Sequence, residues 1–294
     1  MRWFFALNQA GGTFPAYAEM VKVAVHTARL HTTLIPHCLY DGAECDLTAW
    51  LRDRGVTVIP CRSQFYSALE RLAVRKGDQY YLTGGAGAFL RLEIPRVARE
   101  HGYPDAEALY TDCDVMFLRD VAPELRARTP RFFAVAPEGD STDYRSPNTG
   151  VMLMNLSRLA EEDARFLPWT RWYLDTLERH ESDFVWDQSV YQLYYRPFSR
   201  LLLTRGVADL WRRRLAHRLR RLDSPRWGRL PPSFNWKPYW GDPGDAWIVH
   251  FHGPKPNDPR CAAGEHPSPL IRALTGGSYP ALSAAWHQAL REAG

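Results

Sequence analysis

The sequence predicts an α/β fold with a mostly parallel central sheet, helices on both faces and a smaller C-terminal subregion. Short apolar runs alternate with amphipathic stretches through residues 1–120, in a β-α-β-α-β order that favours parallel strands. An acidic pair, Asp112 and Asp114, follows directly on one of those runs. No flexible linker or internal repeat divides the 294 residues, so one domain is expected.

Trp3–Leu7 reads as a buried strand, and Ala16–Leu30 as a helix with Tyr17, Val21, Ala24, Val25 and Ala28 at helical spacing. Thr33–Tyr40 predicts a second strand, ended by Asp41-Gly42. Leu47, Trp50 and Leu51 mark a helix, and Val56–Ile59 a third strand. Gly84-Gly85-Ala86-Gly87 reads as a turn before a helix over Phe89–Arg99 that Pro95 interrupts. Ala108–Thr111 is a strand that delivers the acidic pair. Phe132–Ala136 and Val151–Met154 read as strands, with Asn148 and Asn155 flanking the second, and Ser157–Arg179 as a long amphipathic helix. Asp187-Gln188 is placed to cap a helix through Tyr194, and Trp247–His252 is a late strand.

Composition narrows the function. At 45% hydrophobic and 24% charged residues the chain is globular rather than disordered. A net charge of +4 suits a phosphorylated small molecule but is too weak to point to nucleic acid. The five cysteines are odd in number, scattered and without CxxC, which argues against a disulfide framework or structural zinc and for a reducing cytoplasm. The apolar start is too short for a signal peptide, and no run is long enough to span a membrane. GxGxxG and GxxxxGK[ST] are both missing, so dinucleotide and P-loop sites find no support.

Chemistry is sought just beyond the carboxyl ends of the strands. Asn8, Asp41, Asp112 and Asp114 stand there. Aspartates at i and i+2 in extended chain share a side, and two carboxylates so placed call for a cation between them. Oxygen donors of this kind suit Mn²⁺ or Mg²⁺, which commonly hold phosphates as well. The bland reading is a solvated turn with two ordinary acids, but Leu109-Tyr110 before them and Val115-Met116-Phe117-Leu118 after them fix the acids at an exposed gap between two apolar runs. His250 and His252 share a side if the late strand continues that far, and a neutral imidazole can complete such a site. Lys255 follows on a Gly/Pro-shaped loop that can bring an ammonium to a phosphate.

Taken together, Tyr110-Thr111-Asp112-Cys113-Asp114-Val115, Asn148–Asn155, Asp187-Gln188, Phe234-Asn235-Trp236-Lys237 and His250-Phe251-His252-Gly253-Pro254-Lys255-Pro256 resemble the family 8 glycosyltransferases. These are the glycogenin-like and lipopolysaccharide galactosyltransferase-like enzymes of GT-A fold. Phe89–Pro95 fits the same pattern, and the likeness runs from Trp3 to Pro256. It implies a retaining hexosyltransferase that uses a nucleotide-sugar, usually a UDP-sugar, with Mn²⁺. On that resemblance residues 1–120 form the nucleotide half, 121–260 the donor-sugar and acceptor half, and 261–294 a tail that is helical at its end. Asp112, Asp114 and His250 are implied as metal ligands, and Lys255 as the diphosphate contact. Asn8 is implied near the uracil or ribose, and Arg91, Asn148 and Asp187 along the donor sugar. Gln188 stands beside the anomeric carbon. Lys255-Pro256-Asn257 and Asp187-Gln188-Ser189 depart from the family's usual Lys-Pro-Trp and Asp-Gln-Asp.

Asp187 or Gln188 can stabilise the sugar cation or attack it. The front-face route is favoured, because an amide is a poor nucleophile. The acceptor stays open between a glycan, a lipid, a protein and a small molecule. A metal-dependent phosphohydrolase or nucleotidyltransferase, or a catalytically idle sugar-nucleotide binding module, are the competing readings. Finally, Arg212–Arg221 reads as a basic amphipathic helix, either a solvated face or a peripheral contact with the inner face of a membrane.

Overall fold

The computed structural model describes residues 1–178, 187–196, 225–262 and 264–294. The basic segment Arg212–Arg221 lies outside the described residues. The central sheet contains β1 (Arg2–Asn8), β2 (Ile35–Asp41), β3 (Thr57–Pro60), β4 (Glu107–Thr111), β6 (Phe133–Pro137), β7 (Pro147–Asn155) and β8 (Gly228–Arg229), in the order β3-β2-β1-β4-β7-β6-β8. Strand β7 runs antiparallel to both its neighbours, and every other pairing is parallel. A separate antiparallel pair joins β5 (Val115–Phe117) to β9 (Ile248–His250).

Alternation along the strands explains the layers. On β1, Phe4 and Ala6 face one side, with α3 (Tyr66–Lys76), α5 (Ile94–Glu100), α7 (Leu156–Glu178) and α8 (Asp187–Tyr194). Trp3, Phe5 and Leu7 face the other, with α1 (Phe14–His31) and α2 (Asp46–Asp53). Both faces of β1 are therefore dry, as a parallel sheet requires, and burial of a side chain such as Phe5 stabilises by about 1.5–3 kcal/mol. Trp3 keeps its indole N–H satisfied by donating to Thr111 Oγ1 at 2.9 Å, which ties β1 to the end of β4. The C-terminal helix Tyr279–Ala293 packs Trp286 against Met20 and Val23 of α1 and against Val249 and Phe251 beside β9. No helix among the described residues is long and apolar enough to cross a membrane.

Four local expectations are corrected. Gly84–Gly87 is helical rather than a turn: Tyr81–Gly85 forms one π-turn that runs directly into α4 (Ala86–Phe89). Its glycines permit close approach, since a Cβ at Gly84 would lie 2.7 Å from the Tyr80 ring and one at Gly87 3.0 Å from Asn8 Oδ1. Pro95 does not interrupt a helix. Leu90–Glu93 is a 3₁₀ turn, and Pro95 stands in the first turn of α5, where its missing N–H costs nothing. The late strand stops at His250, where His252 N–H folds back to His250 O at 2.7 Å and Gly253 takes φ +93°. Asn148 and Asn155, in turn, lie within β7 rather than flanking it.

Candidate active site

Chain order reverses between β1 and β4, because β2 and β3 build outward on one side of β1 and β4 begins the other. A cavity of about 390 Å³ opens there, beyond the strand ends. Its lining includes Asn8, Arg91, Asp112, Asp114, Asn148, Asp187, Gln188, His250 and Lys255, whereas Asp41 lies outside it and pairs with Arg62 at 3.1 Å.

Asp112 leaves β4 with its N–H held by Gly150 O at 2.8 Å. Cys113 turns the opposite way and donates its thiol to Ala6 O at 3.1 Å, so the two acids fall on the cavity side. The gap is not the exposed one expected: the Asp114 side chain is 8% accessible and that of Asp112 31%. The β5–β9 pair supplies the third member, because His250 stands opposite Val115, immediately after Asp114.

Each carboxylate has one oxygen engaged and one turned to the gap. Asp112 Oδ1 accepts from Arg91 at 2.9 Å and from Tyr110 OH at 2.8 Å, which leaves Oδ2 facing His250 Nε2 at 3.9 Å. Asp114 Oδ2 pairs with the Lys255 ammonium, whereas Oδ1 lies 3.2 Å from His250 Nε2 without an aligned hydrogen bond. Ligand atoms of Asp112, Asp114 and His250 all lie within 4.8 Å of one another. Two carboxylates and an imidazole converging on one gap, with a buried oxygen lacking a donor, fit a divalent cation such as Mn²⁺ or Mg²⁺. Burial pushes the Asp114 carboxyl up, but Lys255 and His250 together outweigh it and hold it well below the usual carboxylate range.

A second trio, Asp258, Cys261 and His266, is less suited to a cation. Asp258 is committed to Arg260 at 2.8 Å, and His266 Nδ1 accepts from Ser268 N–H at 3.2 Å, which leaves a protonated Nε2 toward Asp258.

On the far side of the cavity, Arg91 is buried between Asp112 and Asp187, the latter 2.6 Å from its Nε, and it also donates to Thr149 O. Its charge is thus spent on the protein's own carboxylates rather than offered freely to a ligand. Asp187 stands in the first turn of α8, and burial pushes it up to about 6 against the pull of Arg91. Gln188 Oε1 accepts from Thr149 N–H at 2.9 Å, and its Nε2 donates to Glu138 at 2.7 Å. Asn8 turns its amide to Leu82 O at 2.8 Å and so anchors the Tyr81–Gly85 turn to the end of β1.

The sequence reading passed over Glu138 and gave Tyr110 no role, and it set His252 on one strand face with His250, where the structure does not keep it. Glu138 follows β6 directly, and β6 runs parallel to β4, so the rule that picked Asp112 reaches it. His252 leaves the strand line and meets Tyr239 OH through Nδ1 at 3.0 Å; burial above all pushes it down to about 3.

Gly150 carries a specific requirement. A Cβ there would collide with His250 Cε1 and lie 2.8 Å from Nδ1. Gly150→Ala is expected to displace the imidazole and lower stability by about 1–3 kcal/mol, as read by denaturant unfolding. If Asp112, Asp114 and His250 hold a divalent cation, the same variant should bind it at least about 10-fold more weakly, as read by Mn²⁺ titration.

No described protein family matches the sequence, and no curated protein does. Solved structures do resemble the fold. The galactosyltransferase LgtC in complex with donor and acceptor sugar analogues matches with TM-score 0.58 and 14% identity over 99% of this chain and 96% of its own. The apo glycosyltransferase GlyE of Streptococcus pneumoniae TIGR4 matches with TM-score 0.54 and 15% identity over 99% of this chain, which spans 62% of the GlyE chain. The bifunctional glycosyltransferase WbbM matches with TM-score 0.50 and 10% identity over 97% of this chain and 51% of its own. At such identities the likeness is one of architecture, and the architecture is the GT-A glycosyltransferase fold.

Proposed function

We propose that this chain is a retaining glycosyltransferase that moves a sugar from a nucleotide-sugar, a UDP-sugar by preference, to a hydroxyl acceptor, with Mn²⁺ held by Asp112, Asp114 and His250. The observation that carries this reading is the convergence of those three ligands under a cavity at the switch point of a GT-A sheet, opposite Asp187 and Gln188. The bound cation would act as a Lewis acid on the donor's diphosphate.

The chain's own groups account for the rest. Asn8 holds the Tyr81–Gly85 turn at the end of β1, and Asn8, Thr83 and Gly84 line the part of the cavity where the nucleoside would lie. Lys255 reaches Asp114 from its loop, 26% accessible, and can turn its ammonium to the departing phosphate. Arg91 holds Asp112 and Asp187 at fixed separation. As the bond from anomeric carbon to phosphate oxygen breaks, positive charge grows on the sugar, and an ionised Asp187 beneath it lowers that energy. Glu138 fixes the amide of Gln188 beside the same centre. The acceptor hydroxyl enters on the face the diphosphate leaves, forms the new glycosidic bond and passes its proton to the departing phosphate oxygen. No carboxylate attack is needed, and the anomeric configuration is kept.

A panel of nucleotide-sugars, assayed for nucleoside diphosphate release with and without Mn²⁺, tests this. Metal-dependent UDP release from one or a few UDP-sugars is expected. Tight binding without turnover across many acceptors would indicate an idle binding module, and cleavage of simple phosphate esters a phosphohydrolase. Either outcome overturns the transferase reading.

A further inference from the structure

The amides behind His250 form a chain whose polarity is set by groups that cannot reverse. Gly150 N–H can only donate, and it donates to Asn148 Oδ1 at 3.1 Å. Asn148 therefore shows its oxygen to that side, and Asn235 must offer Nδ2 to the same oxygen, at 2.9 Å. Asn235 Oδ1 then faces His250 Nδ1 at 2.8 Å. A carbonyl oxygen only accepts, so Nδ1 carries the proton, and in the neutral ring it is Nε2 that turns its lone pair toward Asp112 and Asp114. The other end is equally fixed. Thr149 N–H sets the oxygen of Gln188, the Glu138 carboxylate takes its NH₂, and Asn148 Nδ2 reaches Gln188 Oε1 at 3.3 Å.

We propose that Asn235 is a positioning residue that fixes His250 as its Nδ1–H tautomer and so commits Nε2 to the cation. This rests on the metal reading given above. Asn235 is fully buried, lies outside the cavity lining, and has its backbone carbonyl held by Nζ of the buried Lys237 at 2.8 Å. The opposite tautomer would set two lone pairs against each other at Asn235. It would also put an N–H into the gap beside Asp114 Oδ1, 3.2 Å from Nε2, where a metal would need a lone pair. Partners of this kind on ligating histidines typically change metal affinity by about 10- to 100-fold.

The test reads the tautomer directly, by long-range ¹H–¹⁵N correlation of histidine-labelled, metal-free protein at pH 8, with His250 assigned from the spectrum of His250→Gln. In the wild type, Nδ1 protonated and Nε2 bare is expected. Asn235→Leu should shift His250 toward the Nε2–H form and weaken Mn²⁺ binding by about 10- to 100-fold in calorimetry. Asn235→Asp still offers an acceptor to Nδ1, so it should keep the tautomer while breaking the link to Asn148. A merely structural Asn235 would make the two variants fail alike, which overturns the proposal. So does an Nε2–H or doubly protonated His250 in the wild type, and so does an unshifted tautomer in Asn235→Leu. Should that variant not fold, the wild-type spectrum and Asn235→Asp still decide. The tautomer is read without metal, so a wild type with the Nδ1–H form and no Mn²⁺ affinity would sink the metal reading and leave the relay standing.

Discussion

Asp114→Ala should abolish Mn²⁺-dependent binding of the nucleotide-sugar and lower kcat/KM by roughly 10³-fold or more, the scale of losing a preorganised charge at a transition state. Asp114 serves two cations: its Oδ1 faces the gap shared with Asp112 and His250, and its Oδ2 pairs with Lys255. Its removal takes away a ligand and leaves the ammonium with Phe251 O at 2.8 Å as its remaining hydrogen-bond partner among the described residues. Calorimetry with UDP and Mn²⁺ together, beside UDP alone, separates the metal's share of binding from that of Lys255. The pH dependence of stability gives an independent check. The folded carboxyl lies below its ordinary value, so its contribution is present above the unfolded pKa of about 3.9 and is lost as pH falls through the folded one. The stability gap between wild type and variant should therefore be widest above about pH 4 and narrow below it. Persistent Mn²⁺-dependent UDP binding by a folded Asp114→Ala protein would falsify the site assignment.

The parts of this site that could be read in the sequence are those set by local periodicity. The apolar alternation of Trp3–Leu7 and Ala108–Thr111 marks two buried strands, and the residue types just beyond them mark the cavity. Asp112 and Asp114 are legible because the i, i+2 spacing fixes their side. His250 is legible only as a candidate, since its place beside Asp114 depends on the β5–β9 pairing between segments far apart in the chain. Tertiary pairing also changes what a residue does. Arg91 is implied only as a residue along the donor sugar, yet it is committed to Asp112 and Asp187, neither of which is its sequence neighbour. Asn235 is legible only as one member of the Phe234–Lys237 segment, and its role depends on the amide orientation of Asn148, which Gly150 N–H and Gln188 set in the folded chain. Gly84 and Gly87 mislead for a related reason. Glycine signals a turn when judged locally, but here the need is for space against Tyr80 and Asn8.

Asp187→Asn should cut kcat by roughly 10²–10³-fold while donor affinity stays within about threefold, because its charge matters only once the sugar becomes cationic. The pH profile discriminates further. Burial raises Asp187 to about 6, so in the free enzyme the fraction carrying the negative charge falls about tenfold for each pH unit below that point. An acid limb in kcat/KM centred near pH 6 is expected in the wild type, with activity rising as pH rises through it. An asparagine cannot titrate, so the variant should be slow and flat across the same interval. Arg91 complicates the substitution, since the change leaves Asp112 as its remaining carboxylate partner at 2.9 Å. Misplacement of Asp112 would appear as weakened Mn²⁺ binding, so the variant's Mn²⁺ affinity should be measured beside kcat. If that affinity is unchanged and kcat is also unchanged, Asp187 does not face the reacting sugar. If kcat falls but the acid limb near pH 6 persists, the limb belongs to another group, and Asp187 contributes by shape rather than by charge.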